Sequence, residues 1–147
     1  MSDDFLSYHD LDWFASNSEG FVFHFSTGGR GSVLLEVRSS LYNYEALYEY
    51  FESLPESFDA EVVGSRHSRF NDDGQRERYL KSFVAMAKKG LFSYDADLDG
   101  EVGDSGGYVL IVKPDIGIRY LDLPDSIKDM ICILPLKISM YLGRDIF

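Results

Sequence analysis

The apolar positions of this chain follow two periods, and each marks different elements. "LDWFAS", the turn set "NSEG" and "FVFHFST" read as a β-hairpin, because aromatic and branched residues suit strands and Asn17, Ser18, Glu19 and Gly20 supply turn chemistry. In the second strand Phe21, Phe23 and Phe25 share one face, and Val22 and His24 share the other. Neither face is plainly polar, so the hairpin is expected to be covered on both sides. "SSLYNYEALYEYFESLP" repeats its apolar residues at three and four, through Leu41, Tyr44, Leu47, Tyr48, Phe51 and Leu54. That spacing predicts an amphipathic helix, capped by Ser40 or Asn43 and stopped by Pro55. "RERYLKSFVAMAKKG" predicts a second, with Tyr79, Leu80, Phe83, Met86 and Ala87 inward and Gly90 just past its end. Lys88 and Lys89 fall in its last turn, where cations favour the helix dipole.

"LFSYDA" predicts a short strand, and "GGYVLIVKP" a central one, since Tyr108 to Val112 is almost continuously apolar. "LDLPDSIKDMICILP" predicts a last short helix, with Asp122 as cap, Ile127, Met130, Ile131 and Leu134 as stripe, and Pro135 as stop. "LKISMYL" adds one more strand. The order of strands, two helices, strands and a helix is an α+β pattern. The expected architecture is one domain over residues 1–147, with a mainly antiparallel sheet packed against two to three helices. A chain of 147 residues buries enough surface, roughly 70% of its unfolded area, to fold without a disulfide or structural metal.

Charge changes the picture. The net charge is -11, from 25 acids against 14 Lys plus Arg. That disfavours nucleic acid or an anionic membrane as the main partner and suits a basic one. The acids come in blocks: five in residues 1–20, six in 41–63 and five in 93–107, none of which contains Lys or Arg. Residues 64–90 hold seven bases. On the first helix Glu45, Glu49 and Glu52 stand three and four apart without a Lys to pair them, so they repel by a few tenths of a kcal/mol and are candidates to meet a partner's cations. Tyr42 and Tyr50 flank the apolar stripe and are either interface anchors or extensions of the core. No run approaches the ~20 apolar residues of a membrane span. The opening "MSDDFLSYHD" has no basic-then-apolar signal pattern, so a cytoplasmic location is expected.

Catalytic and metal motifs are weak. Cys132 is the single cysteine and lies in the apolar run "DMICILPL", which suits a buried thiol. His9, His24 and His67 have no metal-ligand spacing, and a histidine base would need an oriented carboxylate beside it. The loop "STGGRGS" matches neither phosphate-binding glycine motif. "YDADLDGEVGD" places Asp95, Asp97, Asp99 and Gly100 as in the start of an EF-hand. However, Gly106 stands where the bidentate Glu belongs, and a strand follows instead of a helix. The loop therefore reads as an exposed acidic hairpin connection carrying Asp95, Asp97, Asp99, Glu101 and Asp104. Replacing Asp95, Asp97 and Asp99 together by Ser is expected to spare the fold. No cofactor, metal ligand or catalytic residue is assigned.

The blocks "LDWFASNSEGFVFHFSTGG", "RYLKSFVAMAKKGLFSYD", "YVLIVKP" and "DLP" together resemble a group of small bacterial cytosolic proteins that includes immunity proteins of polymorphic and contact-dependent toxin systems. The resemblance implies a stoichiometric inhibitor, not an enzyme, that neutralises a cognate toxin domain by steric and electrostatic occlusion. Many such toxins are nucleases, whose phosphate-binding clefts are basic. The group has no functional signature to carry over, so the candidate contacts rest on charge alone: Asp95, Asp97, Asp99, Glu101 and Asp104 in the loop, and Glu45, Glu49 and Glu52 on the helix. The alternative is a small Ca2+-binding or generic protein-interaction module.

Overall fold

A computed structural model describes residues 10–29, 31–64, 70–97, 100, 103 and 106–147. The described residues form an α+β domain. Its strands are β1 (Asp12–Asn17), β2 (Val22–Ser26), β3 (Ala60–Val62), β4 (Phe92–Ala96), β5 (Tyr108–Pro114), β6 (Cys132–Leu134) and β7 (Tyr141–Leu142). Its helices are α1 (Leu35–Arg38), α2 (Leu41–Glu52), α3 (Asp73–Lys88) and α4 (Asp125–Lys128). The strands form one sheet in the order β3-β5-β4-β2-β1-β6, with β7 also pairing β5. Pairings β1–β2, β3–β5, β4–β5 and β5–β7 are antiparallel, and β1–β6 and β2–β4 are parallel, so the sheet is mixed but mostly antiparallel.

The β1–β2 hairpin forms with the expected turn. Asn17 accepts from the Gly20 N–H at 3.0 Å, and its side-chain oxygen accepts from Phe21 N at 3.0 Å. Both faces of the hairpin are covered. On one, Trp13 and Ala15 of β1 join Phe23 and Phe25 of β2, Tyr94 of β4 and Tyr108 and Leu110 of β5. Trp13 stacks on Phe25 at 4.2 Å and donates its indole N–H to the Tyr108 hydroxyl at 3.1 Å, which donates to the Ser32 carbonyl at 2.6 Å. Val33 and Val37 near α1, and Leu134, Leu136 and Leu142 of the C-terminal region, close this side.

On the opposite face lie α2 and α3. Phe14 and Val22 pack against Leu47 and Phe51 of α2, with the Phe14 and Phe51 rings stacked at 4.6 Å. Leu80, Phe83 and Ala87 of α3 pack on Val109, Ile111 and Val112 of β5. Ser40 caps α2 by accepting from Asn43 N at 3.2 Å, and Asp72 caps α3 by accepting from Gln75 N at 2.7 Å. Gly90 follows α3 at φ +98°, where a Cβ would also stand 2.7 Å from the Ile118 backbone nitrogen. Only Gly fits there.

Two expectations need correction, and one strand had not been expected. Leu41 and Tyr48, placed in the α2 stripe, are partly outside it, at 48% and 37% exposed. The segment 122–135 is not one helix. α4 is a single turn after Pro124 without a side-chain cap, so Asp122 has no capping role, and Cys132–Leu134 form an edge strand beside Ala15–Asn17. Apolar residues three and four apart in so short a run fit either element, and the open edge of β1 decides for the strand. β3, which carried no clear pattern, forms against the end of β5.

Lys89 was expected to serve the dipole of α3 but does more. It is 7% exposed, and its ammonium donates to the Glu52 backbone carbonyl at 2.9 Å, with the Glu52 carboxylate 3.7 Å away. A residue following α3 thus caps the C-terminus of α2. Lys89→Met keeps the stem but leaves that carbonyl without its charged donor, a loss of about 1–3 kcal/mol. We expect a correspondingly lower urea midpoint; an unchanged midpoint would refute the capping role.

The buried tyrosines set an alkaline limit. Burial pushes Tyr94 up to about 12 and Tyr108 up as well. An unfolded chain ionises these phenols near 10. Their contribution to stability is whole below pH 10 and is lost as pH rises through about 12. Tyrosinate absorbance should show a late class that appears only with unfolding. Uniform titration of all 10 tyrosines near pH 10 would contradict this.

Candidate functional site

Between the footprints of α2 and α3 a polar strip crosses the helix-bearing face of the sheet. Strand alternation puts Asp12 with Phe14, His24 with Val22, and Ser93 with Asp95 on that face. His24 is fully buried; its Nε2 lies 2.7 Å from Asp12 Oδ1 and its Nδ1 2.6 Å from Ser93 Oγ. The carboxylate can only accept, so Nε2–H donates to it, and in the neutral ring Nδ1 accepts from the Ser93 hydroxyl. Serine, histidine and aspartate in a hydrogen-bonded row are the parts of a nucleophile and its base. Here Ser93 and His24 are both 0% exposed, packed under Phe14 and Phe83, so no substrate reaches the hydroxyl in this conformation. The row ties β1, β2 and β4 together and satisfies the hydrogen-bonding groups of a fully buried histidine.

Asp12 is the open end of this strip, with its side chain 34% exposed. It emerges beside α2, where burial, with the Asp12 charge as the next cause, pushes Tyr44 up to about 12. Burial and the charges of Glu52 and Asp12 also raise Tyr48. A shallow groove of about 310 Å³ runs here between Tyr44, Glu45, Tyr48 and Glu49. Tyr42, 74% exposed, stands near the start of the same helix. Glu45 and Glu49 are exposed and form no ion pair among the described residues. The result is a surface of carboxylates and phenols, an arrangement suited to Lys and Arg.

The other sequence candidates divide. Glu52 is exposed but shared with Lys89. Tyr50 is half-buried against Phe51 and so extends the core, whereas Tyr42 does not. The loop acids require correction. Asp95 belongs to β4, is 8% exposed and accepts a hydrogen bond from the Tyr79 hydroxyl of α3. Asp97 is 0% exposed and accepts from Gly103 N at 2.9 Å. Neither is an exposed, unpaired charge: Asp95 lies inside the strand predicted at "LFSYDA", whose alternation turns it toward α3, and Asp97 follows that strand directly. Asp99, Glu101 and Asp104 lie outside the described residues. The connection does join antiparallel strands, as a hairpin loop should. The two described carboxylates serve Tyr79 and Gly103 separately, and no group of three or more metal-ligating side chains occurs among the described residues.

Sequence reasoning missed Asp12 and the Lys89–Glu52 contact. Asp12 carried a signal, since it alternates with Phe14 on a strand opposite His24. Lys89 carried none, because its partner lies 37 residues away. Cys132 is half-buried, and burial, then its hydrogen bond to Glu36 and that carboxylate's charge, pushes its thiol up to about 11, which keeps it unreactive at neutral pH. No helix among the described residues is long and apolar enough to cross a membrane. Comparison with protein-family models, curated proteins and solved structures gives no match.

The burial of Asp95 and Asp97 reverses the expected tolerance of this loop. Replacing Asp97 by Ser removes the buried carboxylate that accepts from the exposed Gly103 N–H and should cost about 1 kcal/mol. Replacing Asp95 removes the acceptor of the Tyr79 hydroxyl hydrogen bond between β4 and α3, with a similar loss. Thermal melts of the single variants are the check; melting temperatures equal to the parent would restore the loop to the set of free surface acids.

Proposed function

We propose that this chain is an immunity protein: a cytoplasmic inhibitor that binds a cognate bacterial toxin domain and neutralises it by steric and electrostatic occlusion. The toxin surface it suits is basic, as in a nuclease cleft. The observation that carries this reading is the outer face of α2, where Glu45 and Glu49 stand exposed beside Tyr42, Tyr48 and the half-exposed end of Asp12. Exposed tyrosines supply contact area at low entropic cost, and carboxylates beside them select cations and speed association. The net charge of -11 favours encounter with a basic partner over the whole surface. The resemblance of the strand and helix blocks to the immunity-protein group points the same way. Inhibition on this reading is one-to-one and consumes nothing. The contacts lie on α2 and Asp12, with Asp99, Glu101 and Asp104 retained as loop contacts and Asp95 and Asp97 removed from the set.

The test begins with gene neighbourhood. A toxin gene should adjoin this one, and its absence counts against the pairing. The isolated toxin domain should then bind this chain with an affinity that falls steeply from about 50 to 500 mM salt, as exposed charges are screened. Glu45→Gln with Glu49→Gln should slow association about tenfold while leaving the melting temperature unchanged. Salt-independent binding, or full protection of cells by the double variant, would refute the α2 surface as the contact.

A further inference from the structure

The bases of this acidic chain are also localised. Arg78, Lys81 and Lys88 lie on one side of α3 and line an open groove of about 640 Å³ floored by Leu80, Val84 and Ala85. Glu56 and Glu77 also reach it, leaving the lining at one net positive charge in a chain at -11. None of the three bases forms an ion pair among the described residues. The groove therefore combines an apolar floor with unpaired cations. The α2 surface is its counterpart, with Glu45 and Glu49 between exposed Tyr42 and Tyr48. Both helices lie on the same face of the sheet, and they are comparable in length: 12 residues, about 18 Å, against 16 residues, about 24 Å.

We propose that the α3 groove receives α2 of a second copy of this chain, in a closed twofold dimer. Two complementary patches on one face can be satisfied together by a twofold axis lying between the copies, which sets each acidic helix against the other's basic groove. Tyr42 and Tyr48 then meet the Leu80–Val84 floor while Glu45 and Glu49 meet Lys81 and Arg78. This goes beyond the inhibitor reading and does not depend on it. Its consequence for that reading is competition, because the dimer covers the surface offered to a basic toxin.

Charge reversal distinguishes this arrangement from other associations, and the experiment uses this chain alone, without any toxin. In sedimentation equilibrium over a concentration series, the parent chain should rise from 16.7 kDa to twice that mass and stop there. Arg78→Glu with Lys81→Glu should remain monomeric, as should Glu45→Lys with Glu49→Lys. An equimolar mixture of those two variants restores both contacts, and should dimerise. One chain carrying all four substitutions should dimerise with itself. These positions are exposed, and circular dichroism of each variant reports its fold; should a variant misfold, weakening of the parent dimer by high salt tests the same contacts. A parent that stays monomeric at every concentration overturns the proposal. So does a dimer that survives either reversal, a mixture that fails to pair, or a mass that grows without limit, which would mean an open head-to-tail contact. Each of these outcomes leaves toxin binding to be judged separately.

Discussion

The β1–β2 hairpin has no polar face, and the rest of the fold answers that constraint. A strand pair with Trp13, Phe23 and Phe25 on one side and Phe14 and Val22 on the other is stable only when covered on both sides. α2 and α3 cover one side; the C-terminal strands and turns cover the other. The parallel additions of β4 to β2 and β6 to β1 complete the backbone hydrogen bonds of the same hairpin. The polar groups enclosed by this arrangement, His24 and Ser93, are admitted because each finds a partner across the strands.

How much of this could be read from the sequence depended on the range of the interaction. The hairpin, α2, α3 and the strand after Gly107 were legible because their signals are local: a turn set, a three-four repeat, capping serine and glycine, an unbroken apolar run. Ser40 and Gly90 fell where capping chemistry placed them. The segment 122–135 misled because the same apolar residues serve a helix or an edge strand, and the choice was made by β1, more than 100 residues earlier. The acids illustrate the same limit. Glu45 and Glu49 are exposed, as their helical spacing implied. Asp95 and Asp97 are buried by a strand register and a turn that no count of charges contains.

Burial thus sorts the carboxylates of a strongly acidic chain into two kinds. Asp95 and Asp97 accept hydrogen bonds inside the fold, and Glu52 is shared with Lys89. Those on the outer face of α2 hold no such partner among the described residues. Only the second kind has free interaction energy to offer another molecule, since the first is already engaged in holding the fold. A charge total cannot make that distinction. The position of Asp12 lies between the two, bonded to His24 at one end and open to water beside α2 at the other.

The single tryptophan has a practical consequence. Trp13 is 1% exposed and enclosed by Phe25, Tyr108 and Phe147, with Tyr44 of α2 packed against the same cluster. Its emission reports on a dry aromatic environment and shifts to the red when water enters. Intrinsic fluorescence of this protein is therefore a gauge of the core, and Tyr44, which lines both the Trp13 cavity and the outer groove of α2, links that gauge to whatever lands on the helix.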